Sequence, residues 1–253
     1  MTTPGLQRYV DALEETWTAL ASIVDGISDA DWMTGTGCPG WTVKDNVAHV
    51  ASLEVLLAGR EEPEHVAPPA PHVHGGTGQM MENLVDRRRA WSNAEVLAEL
   101  RSVAAERLAY LRGLGDDADQ EIHGMRGLTK ASSALGLRVF DCFAHEQDVR
   151  RALGTPGNLD GIAAHITADR ISRGVPAILE EAGIADVRVI VPIAAGDVVT
   201  TDVGTPTTTV TMPLEQMVTL FCGRADGARD GIVVEGDETV GKATVEALSG
   251  LTP

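Results

Sequence analysis

Aromatic residues make up only 4% of this 253-residue chain, and all four tryptophans fall before residue 92. The core must be built mainly from Ala, Leu, Val and Ile, and the two halves of the chain differ in character. Cysteine is almost as scarce. Cys38, Cys142 and Cys222 are widely spaced and odd in number, which argues against both a disulfide framework and a paired-cysteine zinc motif. Any metal here must use imidazole and carboxylate. Basic residues are also few, 20 against 37 acidic ones, for a formal net charge of -17. A surface of that sign repels a phosphate backbone, so nucleic acid is not an expected partner. No apolar run approaches the roughly 18 residues of a membrane helix, and no basic segment is followed by an apolar core near the N-terminus. Membrane association is not expected, and cytoplasmic residence is the default expectation.

What is present is helical periodicity. Leu6, Val10, Leu13, Trp17, Leu20 and Val24 recur every three or four residues, the mark of a helix with one buried stripe, ended by Gly26 and Ser28. Thr42 is a candidate N-cap with Asp45 three residues on, close to a capping box. Val43, Val47, Val50, Leu53 and Leu57 then form the stripe of a second helix. The stretch from Pro63 to Gly78 is rich in Pro, Gly and His, lacks a period and reads as an exposed irregular segment. A short helix around Met81 to Arg89 precedes a third long one, which starts after Ser92 or Asn93 and carries Leu97, Leu100, Ala104, Leu108 and Leu111. The fourth starts near Ser132, runs through Leu135, Val139, Cys142, Val149 and Leu153, and stops at Gly154 with Pro156 beyond. Four such helices predict an antiparallel bundle.

Past Gly157 the pattern changes. A helix over Ile162 to Glu181 precedes extended stretches at 187–191, 197–203 and 207–212. A helix from Pro213 closed by Gly223, a short strand at 232–234 and a helix over 238–248 follow. The sequence thus predicts an α+β protein, with a helical bundle over residues 1–156 and a small α+β domain over 157–253, joined near Gly154 to Asn158.

One stretch of the fourth helix has ligand spacing. Asp141 and His145 are four residues apart, about 6 Å along one helix face, near enough to share a cation. A third donor is available on the second helix, where His49 lies roughly 80° from the centre of the apolar arc and so flanks the core. Two imidazoles and a carboxylate leave coordination positions open, as in catalytic zinc sites, and the same set describes the facial triad of non-haem iron. Zinc is the preferred reading. Ordinary side-chain hydrogen bonding is the competing explanation of the Asp141 and His145 pair.

Two segments together also carry a resemblance. Cys38-Pro39-Gly40-Trp41-Thr42-Val43-Lys44-Asp45 with Val47-Ala48-His49-Val50, and Arg138-Val139-Phe140-Asp141 with His145-Glu146-Gln147-Asp148-Val149-Arg150-Arg151-Ala152-Leu153-Gly154, resemble the mycothiol-dependent maleylpyruvate isomerase family. That family belongs to the DinB-like metal-binding four-helix bundles. Phe221-Cys222-Gly223-Arg224 and Val234-Glu235-Gly236-Asp237 resemble its C-terminal, sterol-carrier-like α+β domain, so the likeness spans nearly the whole chain. The resemblance implies a divalent metal, usually zinc, held by His49, Asp141 and His145. It implies mycothiol as a low-molecular-weight thiol cosubstrate, a small electrophile as substrate, and isomerase or S-transferase chemistry. Arg224 would be the catalytic arginine that stabilises substrate or developing negative charge, a role that competes with that of a surface arginine at a helix C-terminus. The isomerase carries glutamate where this chain has Asp141, one methylene shorter. A non-enzymatic metal- and small-ligand-binding or regulatory protein of the same fold is the alternative expectation.

Other conspicuous residues have plainer readings. His65, His72 and His74 are expected in a flexible exposed loop, with a lid over the cleft as a further possibility. Cys38 reads as a packing or turn residue, Cys142 as core, and Arg87-Arg88-Arg89 as a solvated face. Trp41 is either an anchor capping the bundle or a wall of the cofactor pocket. Glu146 and Asp148 either orient an imidazole or pair with Arg150 and Arg151.

Overall fold

The computed structural model describes residues 5–125, 127–193, 196–224 and 229–250. The chain divides into two compact units, one ending at Gly157 and the other beginning at Asn158. The first contains α1 (Leu6–Ile23), α2 (Asp29–Trp32), α3 (Val43–Leu57), α4 (Gly75–Arg89), α5 (Asn93–Arg112), a hairpin of β1 (Glu121–Gly124) and β2 (Gly127–Lys130), and α6 (Ala131–Leu153). Helices α1 and α3 each pack against both α5 and α6, which closes a four-helix bundle, and α4 lies along α3. Local chemistry fixes the helix starts. Ser28 with Asp31, Thr42 with Asp45 and Ser92 with Glu95 form reciprocal capping boxes, and α6 stops where Gly154 takes a φ of 63°.

Helix α3 is buried on nearly every side. Each residue from Val43 to Val55 is buried, including Lys44, Asp45, Asn46, His49, Ser52 and Glu54. Buried polar groups need partners, and these partners tie α3 to its neighbours. Lys44 Nζ reaches the carbonyls of Arg89 and Trp91 just past α4. Glu54, 1% exposed, accepts from Arg107 Nε of α5 at 3.1 Å and from Arg138 Nε of α6 at 3.0 Å. Among the described residues no helix is long and apolar enough to cross a membrane.

Three local expectations change. Helix α4 begins at Gly75 rather than near Met81, which shortens the irregular stretch before it. The hairpin β1–β2 and the single-turn α2 are elements that a periodicity reading does not register, being four residues each. The arginine triplet is not a solvated face. Arg88 is fully buried and bonded to Glu62 and Glu99, while Arg89 holds Asp45, Glu82 and Asp86.

The second unit holds α7 (Ile162–Glu181), β3 (Val187–Pro192), β4 (Val198–Val203), β5 (Thr208–Thr211), α8 (Leu214–Phe221), β6 (Val233–Glu235) and α9 (Glu238–Ala247). The sheet order is β4-β3-β5-β6, antiparallel except for the parallel pair β3 and β5. The chain must cross the start of β3 between β4 and β5. Residues 204–207 make that crossing and are held by Asp186, whose carbonyl accepts from Thr207 and Thr208 and whose Oδ1 accepts from Thr205. The α+β architecture expected from the sequence is the one observed.

Helix α9 meets β6 so closely at Gly241 that a Cβ there would lie 2.3 Å from Val234 Cγ1 and 3.1 Å from Val234 Cβ. Replacing a helical glycine by alanine ordinarily stabilises by about 1 kcal/mol. Overpacking against a β-branched neighbour reverses the sign, and Gly241→Ala is expected to cost about 1–3 kcal/mol. A urea denaturation midpoint that rises in this variant would contradict the packing.

Candidate metal centre

The capping box at Thr42 sets the register of α3, and two turns on this places His49 against α6, which carries Asp141 and His145. His49 Nε2 lies 3.3 Å from Asp141 Oδ2, and His145 Nε2 lies 3.7 Å from Asp141 Oδ1. One donor atom from each of the three falls within 4.8 Å of the others. The structure therefore brings together three residues that the sequence placed on two helices. Asp141 keeps 28% of its side-chain surface, against 5% for His49 and 8% for His145, so the cluster opens on its carboxylate side.

The electrostatics suit cation ligands. Burial pushes His49 down to about 4, against the pull of the Asp141 carboxylate and helped by His145, so its ring is neutral near pH 7. Burial alone would raise Asp141, but Arg138 beside it, with His49 and His145, holds its carboxyl well below the usual carboxylate range. Arg138 Nη1 donates to Asp141 Oδ2, the oxygen that also faces His49. Oδ1 is left toward His145. His145 Nδ1 is 2.7 Å from Asn46 Oδ1, whereas His49 Nδ1 is buried with no hydrogen-bond partner among the described residues. The proton of neutral His49 thus sits on Nε2, where Asp141 accepts it, and a cation would have to replace it there. Two imidazoles and an ionised carboxylate are a donor set that fits a divalent metal such as zinc.

Trp41 forms one wall. Its ring centroid is 4.9 Å from that of His49 and 5.6 Å from that of His145, and the two imidazoles are 4.5 Å apart. The indole is itself held, Nε1 donating to Glu82 Oε2 at 2.9 Å. Burial opposes charge on Glu82, but bonds from Trp41, Arg89 and His72 keep it below its ordinary value. His72 Nε2 is 3.2 Å from the same Glu82 oxygen, and His65 Nε2 is 2.7 Å from Asp86 Oδ2. The histidine-bearing segment is thus pinned to α4 at two points, a correction to the free loop expected. Gly40 makes the seat. Its φ of +76° favours glycine, and a Cβ there would lie 2.2 Å from the His72 ring.

The remaining candidates fall into place around this cluster. Cys38 packs with Trp41, Val85 and Met81. Its thiol also forms a group with His145 and Asp148. That group is the poorer ligand set, because His145 Nδ1 faces Asn46 and Asp148 Oδ1 is bonded to Arg151 at 2.6 Å. Glu146 pairs with Arg150 at 2.7 Å. Burial pushes the Cys142 thiol up to about 12 despite Arg138, so it is no nucleophile at neutral pH. Arg224 follows α8 in the second unit. It is buried rather than at the surface, with its Nη1 donating to the Cys222 carbonyl at 3.1 Å. Sequence reasoning missed Asn46, Arg138, Glu54 and Glu82. The signal for Asn46 was its place three residues before His49, one turn back on the same face.

In this four-helix bundle two imidazoles and a carboxylate converge from two helices and offer donors for a divalent cation. Residues 13–150, more than half of the chain, match the family described as the Mycothiol maleylpyruvate isomerase N-terminal domain, and the chain belongs to that family. Among solved structures, the mycothiol-dependent maleylpyruvate isomerase and a mutant of it each superpose with a TM-score of 0.61 at 15% identity. Each alignment covers 94% of this chain and 97% of the other. At that identity the likeness is one of fold. No curated protein matches the sequence.

Acid should act on the metal-free protein through His49. The unfolded chain takes up the imidazole proton near pH 6.5, while the folded protein resists it until about pH 4. Stability is therefore expected to fall by on the order of 3 kcal/mol across that window. Asp141, whose folded value is depressed, adds its loss only below its unfolded value of 3.8. Denaturation midpoints of wild type and His49→Gln should converge as the pH drops from 6.5 to 4; parallel profiles would contradict the assignment.

Proposed function

We propose that this protein is a metal-dependent enzyme that uses mycothiol against a small electrophile, as an isomerase or an S-transferase. The observation that carries the reading is the convergence of His49, Asp141 and His145 in a chain of this family. These three would hold the metal, zinc by preference. A divalent cation bound there would favour the thiolate of a thiol over its protonated form, supplying a nucleophile near neutral pH without a free cysteine of the chain.

The chain's own residues define the rest of the site. Trp41 covers both imidazoles on one side, so small molecules must arrive over the partly exposed Asp141. Arg138 keeps that carboxylate ionised and turned, with one oxygen engaged. Cys142 is held as a thiol and does not compete with the cosubstrate. The resemblance to the isomerase family is what would give Arg224 the stabilisation of negative charge on a substrate. Asp141 reaches less far than a glutamate, which suits a substrate geometry different from that of the isomerase.

The purified protein is expected to carry close to one zinc per chain by elemental analysis and to convert some member of an electrophile panel only when mycothiol is present. Thiol returned after turnover identifies an isomerase, and an accumulating adduct an S-transferase. His49→Ala should lose both metal and mycothiol-dependent turnover. A variant that keeps full metal and full activity would sink the site.

A further inference from the structure

We infer that Asn46 is a positioning residue that fixes the tautomer of His145, holding its proton on Nδ1 and leaving Nε2 bare toward Asp141 and His49. Asn46 is completely buried, and the orientation of its amide is determined by its surroundings. Nδ2 lies 2.9 Å from the carbonyl oxygen of Thr42 and 3.0 Å from Thr36 Oγ1. A carbonyl oxygen can only accept, so the amide cannot be turned over without setting two acceptors face to face. Thr36 is committed as well, its hydroxyl donating to the Trp41 carbonyl at 3.0 Å and accepting from Cys38 N–H.

With Nδ2 thus placed, Oδ1 faces His145 Nδ1 at 2.7 Å and must accept a hydrogen bond from its N–H. In a neutral imidazole the second nitrogen then carries the lone pair, and that nitrogen, Nε2, is the one facing Asp141 Oδ1. Among the described residues the nearby Asp148 is worse placed for this role. Asp148 Oδ2 is 3.5 Å from Nδ1, beyond a good hydrogen bond, and Asp148 Oδ1 is bonded to Arg151. The inference rests on the metal reading only for its consequence. A ligand that presents a lone pair in advance binds a cation without first moving a proton, and losing such an outer partner typically weakens metal binding about 10- to 100-fold.

Two variants separate positioning from packing. Asn46→Asp and Asn46→Leu both lose the donors to Thr36 and Thr42, so both lose stability, but only the aspartate keeps an acceptor for His145 Nδ1. Zinc titrations of the metal-free proteins should show Asn46→Leu about 10- to 100-fold weaker than wild type and Asn46→Asp equal or tighter. Wild-type affinity in Asn46→Leu, or equal weakening in both variants, would overturn the assignment. A second measurement needs no variant: nitrogen NMR shifts of His145 in the metal-free wild-type protein should show a protonated Nδ1 and a bare Nε2. The opposite tautomer overturns the inference whatever the metal does. The expected tautomer in a wild-type protein that binds no zinc would support Asn46 as the positioning residue while overturning the proposed function.

Discussion

Glu54 carries a negative charge in the middle of the bundle, 1% exposed, with the guanidinium of Arg107 on one side and that of Arg138 on the other. Taking such charges out of water costs several kcal/mol each, and their attraction offsets this only when the geometry is good and the remaining donors are satisfied. Here they are. Arg107 also donates to the Leu57 carbonyl at the end of α3, and Arg138 also reaches Cys142 Sγ and Asp141. The carboxylate therefore ties α3 to α5 and α6 at once. Removing one partner from such an arrangement strands a buried charge, at roughly 3–5 kcal/mol. Its importance extends beyond stability, since the arginine that Glu54 holds is the one that orients Asp141.

A second layer of polar contacts reaches the cluster through Trp41. The indole rests on both imidazoles, Glu82 holds the indole, and His72 and Arg89 hold Glu82. Arg89 in turn bonds Asp45, whose other carboxylate oxygen accepts from the Thr42 N–H in the capping box of α3. The helix start that sets the register of His49 and the segment that carries His72 thus share one hydrogen-bonded set. Charges that looked like scattered surface features, the arginine triplet with His65 and His72, are paired within this unit.

The features legible in the sequence were local ones. Thr42 and Asp45 are three residues apart, the apolar stripes repeat within a single helix, and Gly154 marks the end of α6 by its own backbone preference. The cluster was legible in the same way, since Asp141 and His145 are one turn apart and His49 flanks a stripe. Pairings across long stretches of chain were not. Glu54 lies 53 residues from Arg107 and 84 from Arg138, and nothing near any of them announces a partner. Short elements escaped for a different reason. With four residues and little burial, the strands of the β1–β2 hairpin offer no period to detect, and α4 opens on glycines that weaken its helical signal.

The uneven exposure of the cluster imposes an order of encounter. Both imidazoles lie behind Trp41 and within the bundle, and the carboxylate of Asp141 is the one group of the three with appreciable contact with water. A cation taken up as proposed would pass the carboxylate first and the rings second. Its exchange would then require Asp141 to swing away from Arg138, which would make the aspartate the doorkeeper of the centre.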